Sequence, residues 1–527
     1  MGTLLSKPEK RVQPRAKTVS VVGAKDTLTA PAPTVALNGR KFSYQRSATP
    51  TGPSAVEMHN KYSPSKWDIW MLGITIVIGG QYFSWNAGLA AGLYSYLIAY
   101  FLIASAYITL CCCTSEVTGA LPFADGAYGL SRCTLDFFPG YLIGCCEALE
   151  YIAYVATSVV SLAKMISDVV PLFEGLEPVI ALVFYISALF FHIRGARVFW
   201  VFNMVIGSVS LLIVLLFIFG SLPFVSFTKN TVDPNYRFVD GFAGFMKVLP
   251  LAAWFFVGVE SHNLASDQVQ HPKFVIPFVQ IACISHRFAT ILSIPVTYAT
   301  AYGFMWCYGK LILAMSQSRL LPPFLACTTN SCGTPFAGIC FGTVISYAIC
   351  LVVHFQPSVG AYLFNTCITC AFMSYTGQCI GYISLKLSYR NIKSSSFRNP
   401  FGLAGALYSM SIWVLALFAI AGYQGNEGTE ILAFGCILAL LSIYYYTYAK
   451  KRQTFSAQEN RILLIAHVTK FNHDRMAAVK RARPGRNNTT NNNSNYSTVQ
   501  PTQGSSKTTK AFSRAAAAAL TAKSSNA

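Results

Sequence analysis

The sequence predicts an all-α polytopic membrane protein, and three observations carry that prediction. The 527 residues are 53% hydrophobic and only 11% charged, with a mean hydropathy of +0.45. A soluble chain carries about 25% charged residues. The apolar residues gather in runs of about 20, the length that crosses roughly 30 Å of hydrocarbon as a helix. The net charge of +20 sits at the two ends: 11 Lys/Arg against 3 Asp/Glu in residues 1–66, and 14 against 2 in 450–527, which leaves the middle neutral.

Residues 1–66 are rich in Pro, Ser, Thr and Lys and read as a disordered basic tail. They open on a polar, basic stretch rather than a secretory signal, and Met1 to Ser6 fit a myristoylation pattern. Residues 67–450 read as a transmembrane domain. Apolar runs place spans near 68–88, 90–113, 138–163, 177–193, 198–222 and 242–263, then near 288–316, 335–354, 361–384, 404–423 and 430–449. Residues 451–527 form a second basic tail, low in complexity and rich in Asn, Ser and Thr from 484 onward.

Loop charge sets the expected orientation. Arg194 and Arg197 lie on one side, with Lys386, Arg390, Lys393 and Arg398. Glu174, Glu177, Glu427 and Glu430 lie on the other. Both termini are therefore expected in the cytoplasm, with the plasma membrane as the default address. The basic tails read as this orientation signal, with attraction to anionic lipid second, and not as nucleic-acid binding. The 16 cysteines behave as small hydrophobes in apolar runs. Cys367-x-x-Cys370 lacks a second pair, so no metal or cofactor is expected.

One region breaks the count. Two crossings are needed between Asp267 and Arg319, yet residues 274–318 are interrupted by Ser285-His286-Arg287. About 12 residues precede that interruption, enough for roughly half a bilayer at about 1.5 Å per residue. The seventh helix therefore reads as truncated.

Two spans carry helix-weakening residues. In the first, Gly79-Gly80 is followed by Gln81, Tyr82, Phe83, Trp85 and Asn86. In the sixth, Gly258 is followed by Glu260, Ser261, His262 and Asn263. Matched interruptions in the first span of each half point to a transporter site, because freed backbone groups are tolerated in a membrane only where they line a cavity. A single glycine pair would read as close helix packing. Glu260 either meets a substrate ammonium or a proton, or caps the second half-helix. Glu147 and Glu150, with Tyr151 and Tyr154, share a face of the third span. They line a pathway, with a possible proton-coupling role alongside Glu260, or form a structural hydrogen-bonded pair. Tyr82, Phe83, Trp85, Trp254, Phe255 and Phe256 flank the breaks and can hold an ammonium or simply pack.

The stretches "GGQYFSWNAGLAAG" (79–92), "LPFADGAYGLSRCTLDFFPGYLIGCCEALEYI" (121–152), "WFFVGVESHNLASDQVQHPKFVIP" (254–277) and "YGKLILAMSQSRLLPPFLA" (308–326) resemble the amino acid–polyamine–organocation (APC) permeases. "YFSWN" points to their ethanolamine-permease-like group. The resemblance covers about 68–450. It implies a LeuT-like five-plus-five inverted repeat plus two C-terminal helices, 11–12 in all. It also implies a substrate site between helices one and six, alternating access, and often a coupling proton or cation. The helix-five lysine of some proton-coupled relatives is absent.

The expected function is a secondary transporter, not an enzyme, moving small amino acids or amines such as ethanolamine. Expected substrate-binding residues are Gly79, Gly80, Gln81, Tyr82, Trp85, Asn86, Tyr151, Trp254, Phe255, Gly258 and Glu260. The crowding by Gln81, Tyr82 and Phe83 after the first break favours an amine or amino alcohol. The alternative is a receptor-like or scaffold protein that keeps the fold without transporting.

Overall fold

The computed structural model describes residues 34–37, 40–43, 62–79, 87–121, 125–224, 237–265, 293–329, 333–388, 397–424, 428–466 and 468. In the segment expected to be a tail, β1 (Thr34–Leu37) and β2 (Arg40–Ser43) form an antiparallel hairpin with Val35 opposite Phe42. All else described in regular structure is helical.

The first helix, α1 (Lys66–Ile78), begins at a capping box. Asp68 N–H donates to Ser65 Oγ, and Ser65 N–H donates to Asp68 Oδ2 at 2.8 Å, so two otherwise orphaned amides are satisfied. It ends at Gly79. The chain continues through α2 (Leu93–Ala120), the short α3 (Gly126–Thr134), α4 (Phe137–Val169), α5 (Glu177–Arg194) and α6 (Ala196–Ser221). Next come α7 (Gly241–Val248) and two 3-10 segments, Pro250–Phe255 and Val259–Ala265. Then follow α8 (Ser293–Gln317), α9 (Phe336–Phe355), α10 (Ser358–Ser388), α11 (Gly402–Tyr423) and α12 (Thr429–Tyr444). The last helix runs on through a π-helical turn to Arg452.

Eight of these segments are both long and apolar enough to cross a membrane, which makes this a multi-pass membrane protein. Three further helical segments fall short for physical reasons. The glycine break leaves α1 only 13 residues long. Helices α8 and α10 have 25 and 31 residues, ample length, but they carry buried Thr297, Thr300, Thr369, Ser374 and Gln378. Both pack against the central α4, so those polar groups face protein rather than lipid. By contrast α12 sits at the rim, with Leu432, Leu440 and Ile443 exposed. The residues read as a truncated seventh helix lie outside the described residues.

The core surrounds α4, where Tyr151, Tyr154, Val155, Ala156 and Val159 are fully buried. Around it Tyr107 of α2 packs on Phe256, on Tyr375 of α10 and on Trp413 of α11, with ring centres 4.8 to 5.3 Å apart. Offset and edge-on aromatic pairs of this kind add about 0.5–1.5 kcal/mol each beyond area burial.

Candidate functional site

The two interrupted spans meet at their breaks. At the end of α1, Gly79 N–H donates to Thr300 Oγ1 of α8 at 2.7 Å, and the Thr300 hydroxyl donates to Thr75 O at 2.9 Å. One side chain thus satisfies both a donor and an acceptor released where the helix stops. A methyl group on Gly79 would overlap the Thr300 side chain, so the contact requires glycine.

In the sixth span the α-helix gives way to 3-10 turns after Val248, and Gly258 takes φ +95°. A Cβ there would lie 2.5 Å from Ile76 of α1 and 2.7 Å from Phe304 of α8. The break is thus held both by a backbone conformation that favours glycine and by the close approach of the other broken span. Beyond it Ser261 Oγ donates to Gly258 O at 2.6 Å, His262 Nδ1 lies 2.7 Å from Val259 O, and Thr118 Oγ1 donates to Asn263 Oδ1 at 2.7 Å.

Three carboxylates gather beside these breaks. Glu147 and Glu150 of α4 are 0% exposed and Glu260 is 3% exposed. The Tyr151 hydroxyl donates to both Glu147 Oε1, at 3.1 Å, and Glu260 Oε1, at 3.4 Å. Glu147 also accepts the α3 amides of Ala127 and Tyr128, at 3.4 and 3.2 Å. Glu150 Oε1 accepts Tyr375 OH at 3.0 Å, while its Oε2 has no hydrogen-bond partner among the described residues. Among the described residues, neither Glu147 nor Glu150 forms an ion pair with Lys or Arg. Burying a carboxylate without a partner cation costs several kcal/mol even after relaxation (order ~5 kcal/mol). Such groups in a membrane interior mark ion or substrate pathways.

Aromatic rings wall this centre. Tyr154 packs on Trp254 at 4.9 Å and on Phe304 at 4.2 Å, and Trp254 stacks on Phe364 of α10 at 4.1 Å. Trp254 therefore faces the carboxylate-bearing helix. Phe255 turns instead toward Tyr96 and Tyr100 of α2, at 6.2 and 5.3 Å.

Of the residues expected from sequence, Gly79, Glu147, Glu150, Tyr151, Trp254, Gly258 and Glu260 converge here. Gly80, Gln81, Tyr82, Trp85 and Asn86 lie outside the described residues. Sequence reading did not single out Thr300, Phe304 or Tyr375. For Tyr375 a signal exists: "NTCITCAFMSYTGQ" (365–378) spaces polar residues along an otherwise apolar span.

Residues 65–308 match the family model described as amino acid permease. The match spans both breaks and all three carboxylates. A relative from Rhizobium meliloti (strain 1021), named as an uncharacterized transporter, is 26% identical over 298 residues. That alignment covers 54% of this chain and 61% of the relative, less than two thirds of its length.

Proposed function

We propose that this chain is a secondary transporter that moves a small amine-bearing substrate, an amino acid or an amine such as ethanolamine, by alternating access. The observation that carries the reading is the cluster of buried carboxylates beside two glycine breaks: Glu147 and Glu150, which form no ion pair with Lys or Arg among the described residues, and Glu260. A substrate ammonium supplies the missing positive charge, and the rings of Tyr154 and Trp254 suit its apolar flank and its cationic head. The permease match over residues 65–308 supports the same class. Gly80, Gln81, Tyr82, Trp85 and Asn86 complete the substrate site from the first break, in keeping with the hydroxyl of an amino alcohol.

In this reading Glu150, with one oxygen unpartnered among the described residues, binds the ammonium. Glu147 and Glu260, linked through the Tyr151 hydroxyl, carry the coupling proton. Both termini face the cytoplasm and the protein works in the plasma membrane. The test is uptake of labelled ethanolamine and of an amino acid panel into transport-deficient cells expressing the chain at their surface. Saturable uptake of at least one amine, lost in Glu150→Gln, is expected. A surface-expressed chain that takes up none of them would overturn the proposal.

A further inference from the structure

A second buried carboxylate network lies at the end of the bundle that carries Arg319 and Lys386. After α12 the chain turns back, and residues 453–466 lie against α2, α3, α8 and α10. Thr454 N–H donates to Ser318 O at 3.0 Å, and Arg132 Nη2 of α3 donates to Thr454 O at 2.7 Å. The centre of the network is Glu459. Its Oε1 lies 2.9 Å from Arg132 Nε, an ion-pair distance without hydrogen-bond alignment, and both side chains are buried. Tyr128 OH donates to the same oxygen at 3.3 Å. Ser318 Oγ and Ser456 N–H donate to Oε2 at 2.8 and 2.6 Å. The guanidinium lies 5.0 to 5.8 Å from the rings of Phe137, Phe455 and Tyr128. Farther along, Ile462 and Ala466 pack in a cluster with Val117, Leu121, Leu130, Tyr382 and Leu385.

Tyr128 is therefore held at both ends. Its amide binds Glu147 in the central site, and its hydroxyl binds Glu459 in this terminal segment. We propose that residues 453–466 are a strap that docks α3 against α8, and that Glu459 is a positioning residue for Glu147, acting through Arg132, Tyr128 and the α3 amides. The positioning half rests on the transporter reading; the docking half does not. Undocking the strap would strand a buried guanidinium, and an element with that penalty has two discrete positions rather than a continuum. Opening the bundle at this face, cytoplasmic in the proposed orientation, requires α3 to let go of the strap.

The test uses the full-length protein in lipid nanodiscs and a membrane-impermeant maleimide, read by peptide mass spectrometry. Cys133 neighbours Arg132 and is half-buried, while Cys145 is buried within α4. Glu459→Gln is expected to label Cys133 about tenfold faster than wild type and to leave Cys145 unlabelled, the pattern of local opening. Ile462→Ser weakens docking without stranding a charge and is expected to give about a threefold increase. If Glu459→Gln does not fold, Ile462→Ser decides alone. The proposal is overturned by wild-type labelling in the folded variants, by parallel labelling of Cys145, or by equal acceleration in the exposed Asn460→Ala. In uptake, Glu459→Gln should change the maximal rate more than about fivefold and KM less than about twofold. An unchanged maximal rate overturns the positioning role. Absence of uptake by the wild-type chain would instead sink the transporter reading, with the labelling still deciding the strap.

Discussion

Two buried carboxylate groups sit in one bundle and are treated in opposite ways. Glu459 at the bundle end has a guanidinium at 2.9 Å and three further donors. Glu116, nearby in sequence to α3, is likewise compensated, with Lys386 Nζ at 2.6 Å and Tyr382 OH at 2.8 Å. Glu150 in the centre has one tyrosine hydroxyl and a second oxygen with no partner among the described residues. The difference separates structure from function. A compensated buried acid is explained by the fold that surrounds it. An uncompensated one works against the fold, and the proposed ammonium ligand offsets that cost.

Mutations can break that comparison. The largest effect is expected at the compensated pair. Arg132→Ala leaves Glu459 buried without its cation and should destabilise the protein by about 3–5 kcal/mol. Replacing both partners, as Arg132→Leu with Glu459→Leu, should cost far less. Thermal unfolding in detergent, followed with a thiol-reactive dye, measures both; equal losses in the single and double variants would show that the pair is not a unit.

The central group should behave in reverse. Glu150→Gln removes a charge that has no partner cation among the described residues, so thermal stability should hold or rise while uptake falls about 100-fold, roughly 2.7 kcal/mol. A lower melting temperature with uptake intact would make Glu150 structural and erase the contrast.

The break itself comes next. Gly258→Ala forces a side chain into φ +95° and against Ile76 and Phe304. We expect a loss of about 2 kcal/mol in stability, seen as a lower melting temperature, whereas Gly435→Ala, with open space around it, should change little. The smallest effect is Tyr375→Phe. It removes the hydroxyl that donates to Glu150 and should cost about 1 kcal/mol in uptake efficiency. A change in stability without a change in uptake would place Tyr375 with the scaffold.

Much of the architecture was legible beforehand because its cause is local. Hydropathy and run length identify the spans, since lipid tests each helix separately. Gly79 and Gly258 stand out because helix-weakening residues within apolar runs are visible along the chain. Glu147 and Glu150 stand out because ionisable groups are rare in such runs. Two features were less legible. Helices α8 and α10 were placed as spans near 288–316 and 361–384, but the reason they tolerate so many polar groups shows only in their burial beside α4. The strap was read as part of the basic C-terminal tail, although Ser456-x-x-Glu459 has the spacing of a capping box.

The sequence by itself determined that this is a multi-pass helical membrane protein, where its helices break, and which acids lie within its spans. Tertiary structure alone decided what those acids meet. Thr300 at the first break, Ile76 against the second, Tyr375 on Glu150 and Arg132 on Glu459 are all far apart in the chain from their partners. Ion pairing and close packing depend on distance in space, so whether a buried carboxylate meets a compensating partner is settled only when the helices assemble.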